Sequence, residues 1–116
     1  MKRPRNVRSI INDMIDHIDY LSEKLSHRTL EHFRADRDVR QIVERSLEVI
    51  SEASRRLPAE LKDAHSEIPW RQVADFGNVL RHGYFDVDPD VVWEITATHI
   101  APLKKALVSM RDELPE

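Results

Sequence analysis

The sequence predicts an all-α protein, an antiparallel bundle of four main helices with short helices between them. Three observations predict it. Only two of the 116 residues are glycine, too few for the many tight turns of a β-sandwich. Apolar residues recur at three- and four-residue steps in each long segment, and no convincing strand pair or hairpin appears. Hydrophobic residues supply 41% and charged residues 34%, a division that suits one buried stripe and one solvated face per helix. The length is enough for one domain, residues 1–116, around one core, and too little for two.

Residues 7–26 carry Ile11, Met14, Ile15, Ile18, Leu21 and Leu25 on one face, the pattern of a first helix. Thr29 to Arg34 reads as a separate helical turn. A second helix is predicted over 37–57, with Asp36 as N-cap and Val39, Ile42, Val43, Leu47, Ile50, Ala53 and Leu57 as its apolar side. Pro58 interrupts that pattern, and a short turn or helix covers 58–64. Pro69 suits a first helical position, and a third helix is predicted from about 70 to 82, with Val73, Phe76, Leu80 and Tyr84 as its apolar side. Asp88-Pro89 is a strong helix start, N-cap then proline, with Asp90 favourable to the dipole. The last stripe runs through Val92, Ile95, His99, Leu103, Ala106, Leu107, Met110 and Leu114. Pro102 falls inside it and removes one backbone hydrogen bond, which predicts a kink near 98–102. Amphipathic helices in so small a chain also supply apolar surface for a dimer.

Net charge is −3, so bulk electrostatics do not mark a nucleic-acid binder. The start is the exception: Lys2, Arg3, Arg5 and Arg8 fall within eight residues, and 1–7 reads as a basic tail, solvated or in contact with phosphate. There is no cysteine, which excludes disulfides, thiol chemistry and cysteine-ligated zinc and fits a reducing cytoplasm. No apolar run is long enough for a secretory signal or a membrane span. His17, His27, His32, His65 and His99 form no i,i+4 pair and no HExxH, so no metal site and no cofactor is expected. No P-loop, GxGxxG or GxSxG is present. Trp70 and Trp93 read as packing anchors rather than base-stacking platforms.

The third helix carries a second, polar stripe: Arg71, Asp75, Asn78 and His82. At about 100° per residue these four fall within roughly 60° of one another around the axis. Asn78 and His82 are one turn apart, whereas Arg71 lies about 16 Å from His82 along a straight helix. Arg81 adjoins His82 but is rotated from it by roughly 100°. These residue types suit phosphoryl transfer on RNA. A histidine near neutral pKa can take or give a proton, an arginine can hold the phosphate with two parallel bonds, and an asparagine amide can orient the phosphate or the 2′-hydroxyl. The same stripe is also what a solvated helix face looks like, and Gly83 behind His82 is a natural helix stop that leaves His82 a capping residue.

The segment IPWRQVADFGNVLRHGYFDVDPDVVWEI, residues 68–95, resembles the signature region of the HepT-like proteins of the HEPN superfamily. RSIINDMIDHIDYLSEKL is similar to that family's first helix. FRADRDVRQIVERSLEVISEASRRLP is similar to its second, with Ser51-Glu52-Ala53 where Gly-Glu-Ala is common. The resemblance covers roughly residues 8–112. It implies a dimeric helical bundle acting as the toxin of a toxin–antitoxin pair, a metal-independent endoribonuclease with its site in the cleft between subunits. It further implies a small nucleotidyltransferase partner of the MntA type, which silences the toxin by transferring AMP to the motif tyrosine. That motif is Arg, four residues, His, one residue, Tyr. His82 matches its histidine as acid/base, Tyr84 its tyrosine as AMP acceptor, and Asn78 the asparagine that often follows the arginine. The arginine position is occupied by Gly77. Arg81 is the candidate replacement, with Arg71 and Asp75 in supporting positions. The alternative implied by Gly77 is a nuclease-weakened module of the same fold that binds RNA, a nucleotide or the nucleotidyltransferase.

Overall fold

A computed structural model describes residues 6–81 and 87–115. Among the described residues six helices follow one another: α1 (Val7–Leu25), α2 (Leu30–Ala35), α3 (Arg37–Ser54), α4 (Ala59–Ala64), α5 (Trp70–Arg81) and α6 (Pro89–Glu113). The four long ones are those read from periodicity. No strand occurs among the described residues.

Short polar side chains start the helices where the sequence places them. Asn6 accepts from Arg8 N–H at 2.8 Å, Thr29 from His32 N–H at 3.1 Å, Asp36 from Val39 N–H at 3.1 Å and Asp88 from Asp90 N–H at 2.9 Å. Each satisfies a backbone donor that has no partner within its helix. Pro69 stands one residue ahead of α5, and Val73 N–H reaches its carbonyl at 3.1 Å. α3 stops at Ser54 rather than 57, and Leu57 is buried from the turn that follows. α6 is helical from Pro89 to Glu113, with Pro102 inside.

Side-chain bonds show the antiparallel order. Lys104 of α6 meets Asp19 of α1 at 2.6 Å, and Arg111 meets Asn12 at 3.0 Å, so one chain number rises as the other falls. Arg8 is not part of a tail: it lies in α1, and its guanidinium donates to the carbonyls of Leu114 and Pro115 at 3.4 and 3.5 Å. Lys2, Arg3 and Arg5 lie outside the described residues.

The core is built from the predicted stripes. Ile11, Met14, Val43, Leu47, Ile50, Val73, Leu103, Leu107 and Met110 are fully buried. Each such side chain contributes about 1.5–3 kcal/mol on leaving water. Ile10 and Ile100 are buried beyond those stripes, while Ile95 and His99 are only half-buried. Phe33 brings α2 onto this core, its ring 5.5 Å from that of Trp93. No helix among the described residues is long and apolar enough to cross a membrane.

Candidate functional site

α5 is fixed at its start and along one side. The Trp70 indole N–H donates to the carbonyls of both Lys62 and His65, each at 3.1 Å, and so ties the first residue of α5 to α4. Val73, Phe76 and Leu80 are buried, and the Phe76 ring lies 5.4 Å from that of His99. Three buried side chains at steps of three and four set the rotation of the helix. Arg71 and Asp75 therefore face solvent, and Asn78 is half-buried.

Of the predicted stripe, the structure brings Asp75 and Asn78 together. Asn78 Nδ2 donates to Asp75 Oδ1 at 2.8 Å. A carboxylate can only accept, so this bond fixes which end of the amide turns toward Asp75. Arg71 sits about 10 Å along the axis from Asn78 and is not part of that contact. Arg81 is the last residue of α5. His82 and Tyr84 lie outside the described residues.

Gly77 is buried against α3, and this explains a mid-helix glycine that otherwise costs about 1 kcal/mol. Its N–H donates to Ser51 Oγ at 3.1 Å, and the Ser51 hydroxyl donates to Ala74 O at 2.8 Å. One hydroxyl thus bridges a carbonyl and an amide of the same turn of α5. Ser54, one turn further along α3, is buried too and donates to Ser51 O at 2.6 Å. Small residues at 51, 54, 74 and 77 let the two helices approach closely, and a side chain at 77 would have to enter that contact.

Arg55, one turn beyond Ser51, is the residue that sequence reasoning missed. Its guanidinium donates to the same Ala74 carbonyl through Nη2 at 2.8 Å and Nε at 3.3 Å. The residue is exposed, so a cation lies on the surface beside the turn that contains Gly77. The available signal was the Ser51–Arg55 spacing of four on α3, which places both on one face. A single sequence does not say which face of which helix that face meets.

The beginning of α6 is clasped to α2. Arg34 Nε and Nη2 donate to the two oxygens of Asp90, both at 2.7 Å. The Arg34 hydrogen bonds hold the Asp90 carboxyl below the usual carboxylate range, and the same contact raises the Arg34 guanidinium. His65, nine-tenths buried, is bound to Glu113 Oε1 at 3.1 Å and lies 3.6 Å from Glu67, which gives it a structural place beside the end of α6. Among the described residues, no three His, Asp or Glu side chains converge to hold a metal ion.

Residues 14–110 match the family model described as "HepT-like: Ribonuclease HepT-like". The chain is 34% identical over 107 residues to "Probable ribonuclease HepT" of Thermococcus cleftensis, covering 92% of this chain and 97% of that protein. It is 32% identical over 105 residues to "Putative RNase TTE0752" of Caldanaerobacter subterraneus subsp. tengcongensis, covering 90% and 91%. A third relative, "Gamma-glutamylcyclotransferase and putative RNase MJ0434" of Methanocaldococcus jannaschii, is 28% identical over 110 residues. That match covers 95% of this chain and half of the longer relative. No solved structure matches the chain.

Proposed function

This chain belongs to the Ribonuclease HepT-like family, and from that premise and the geometry of α5 we propose that it is an endoribonuclease. The observation that carries the reading is the Asp75–Asn78 pair, held on the open face of α5 one turn ahead of His82 in sequence. In the proposed reaction the ribose 2′-oxygen attacks the adjacent phosphorus and the 5′-oxygen leaves. His82 moves the proton as general acid/base, and Asn78, oriented by Asp75, holds the phosphate or the 2′-hydroxyl. Arg81, beside His82, supplies positive charge, and Arg71 adds to the field from further along the helix. With the 2′-hydroxyl as nucleophile, the chemistry needs no metal.

We place the enzyme in a toxin–antitoxin pair of the cytoplasm. The active form is a homodimer with the site in the cleft between its subunits, and the partner is an MntA-type nucleotidyltransferase. AMP transfer to Tyr84, two residues from His82, would fill the same site with a phosphate and silence it. The test is growth on induction. The parent is expected to arrest growth and His82→Ala to be harmless. A harmless parent would overturn the toxin role. Co-expression with the partner is expected to add the mass of AMP to the peptide that carries Tyr84. An unmodified peptide beside an active partner removes that part of the reading.

A second reading is favoured by Gly77, which stands where the motif carries its arginine. Losing one charged clamp on the phosphate can cost about 3–4 kcal/mol of transition-state stabilisation, by analogy with oxyanion-hole donors. A protein that binds single-stranded RNA but does not cut it would be a binding module of the same fold.

A further inference from the structure

We infer that Arg55, the C-cap of α3, is the phosphate-binding arginine of this site and stands in for the side chain that Gly77 lacks. The inference rests on the ribonuclease reading above and names the residue that makes its phosphate contact.

Three observations carry it. The first is position. Ala74 O accepts from Arg55 Nη2 at 2.8 Å and from Ser51 Oγ at 2.8 Å, and Ser51 Oγ in turn accepts from Gly77 N–H at 3.1 Å. Arg55 and Gly77 are therefore attached to one turn of α5 through a shared carbonyl and hydroxyl. Ala74 and Asn78 are also i and i+4 neighbours, about 6 Å apart along the axis. The guanidinium arrives from α3 at the turn where a side chain from position 77 would otherwise originate.

The second observation is charge. Neighbouring Arg56 lies 3.7 Å from Glu52, whereas Arg55 pairs with no carboxylate among the described residues. Its hydrogen bonds go to a neutral carbonyl, one turn ahead of Asn78 on α5. The third is preorganisation. Two of the five guanidinium N–H groups are used on Ala74 O, which fixes the plane of the group. The remaining donors form a fork of the kind that binds phosphate oxygens in parallel. An exposed arginine ordinarily loses its rotamer freedom when it binds, and here the carbonyl has already restricted it. Close packing at Ser51–Gly77 and the reach of Arg55 are then one arrangement: the glycine that removes a side chain from α5 also lets α3 bring a cation to the same turn.

The test uses the full chain, Arg55→Gln and Arg55→Lys, and two single-stranded RNA probes of one sequence. One probe is unmodified, and the other has 2′-O-methyl riboses that cannot serve as nucleophiles. Binding of the methylated probe is measured against salt. Arg55→Gln is expected to lower the slope of log K against log salt by about 0.7, the value for one phosphate contact on a single strand. Arg55→Lys should restore most of that slope. On the unmodified probe Arg55→Gln is expected to cut at least 100-fold more slowly, the loss typical of one transition-state donor. A role confined to tying α3 to α5 would shift the thermal midpoint and leave the salt slope alone. An Arg55→Gln variant that binds and cuts as the parent does overturns the inference and leaves the ribonuclease reading standing. A parent that cuts nothing, with the slope still reduced in Arg55→Gln, overturns the nuclease reading and retains the phosphate contact.

Discussion

Ser51 Oγ on α3 accepts the Gly77 N–H of α5 at 3.1 Å, and at both positions the resemblance implies another residue, glycine at the first and arginine at the second. The two positions touch, so an exchange of small and large groups at one bears on the other across the helix contact.

That exchange predicts coupling. Gly77→Arg alone should destabilise the fold by about 1–3 kcal/mol, because its side chain enters a filled contact. Ser51→Gly removes the hydroxyl and makes room. The double variant Ser51→Gly/Gly77→Arg should be more stable than the sum of its parts by at least about 0.5 kcal/mol. Urea unfolding of the four proteins measures this, and strictly additive effects would show that the two sites are independent.

In the proposed reaction Asp75 acts through Asn78. The 2.8 Å bond on an exposed face is worth about 1 kcal/mol, so Asp75→Ala should slow RNA cleavage about fivefold. Asp75→Asn keeps an oxygen that can accept from Asn78 and should retain most of the rate. If both variants lose activity equally, the carboxylate contributes its charge and not only its orientation. The rate at a fixed pH, under single-turnover conditions, decides between them.

Much of this architecture was legible in the chain. Asp36 and Asp88-Pro89 announced helix starts because the physics of an uncapped N–H is local. Val73, Phe76 and Leu80 announced the buried side of α5 because periodicity is local too. The polar stripe followed from the same periodicity, and the structure joins its Asp75 and Asn78. Arg55 was not legible, because its partner is a backbone carbonyl 19 residues away on another helix. Gly77 was visible only as an oddity, since its reason lies in Ser51, 26 residues earlier. Arg8 looked like part of a basic run until its partners at Leu114 and Pro115 were seen.

The start of α5 depends on one ring. Trp70→Phe keeps the packing and removes the indole N–H that serves Lys62 O and His65 O. The expected loss is about 1–2 kcal/mol, read as a lower urea midpoint with an unchanged slope. Hydrogen exchange should quicken in the first turn of α5 while the amides of α1 stay protected. Uniform quickening across both helices would show that the bond supports the whole fold rather than this terminus.

The Arg34–Asp90 clasp sets one pH dependence. The folded Asp90 carboxyl titrates below its ordinary range because Arg34 donates to both oxygens. A depressed carboxyl contributes stability that is fully present above its unfolded pKa and disappears as pH falls through the folded one. The thermal midpoint of the parent should therefore exceed that of Asp90→Asn by a constant, small margin at neutral pH. The margin should begin to shrink as pH falls below about 4 and vanish only in stronger acid, once the folded carboxyl is protonated. The pair is half exposed, so the margin should also shrink in high salt. A margin that instead grows on acidification would reverse the assigned sign.

On the proposed reading the stripe on α5 leads to a histidine that cuts RNA. Incubating purified parent and His82→Ala with single-stranded RNA in the presence of EDTA decides this. Cleavage by the parent is expected, undiminished by the chelator, with a loss of at least 100-fold in His82→Ala and an unchanged thermal midpoint. Equal cleavage by the two proteins, or none by the parent, would overturn the assignment.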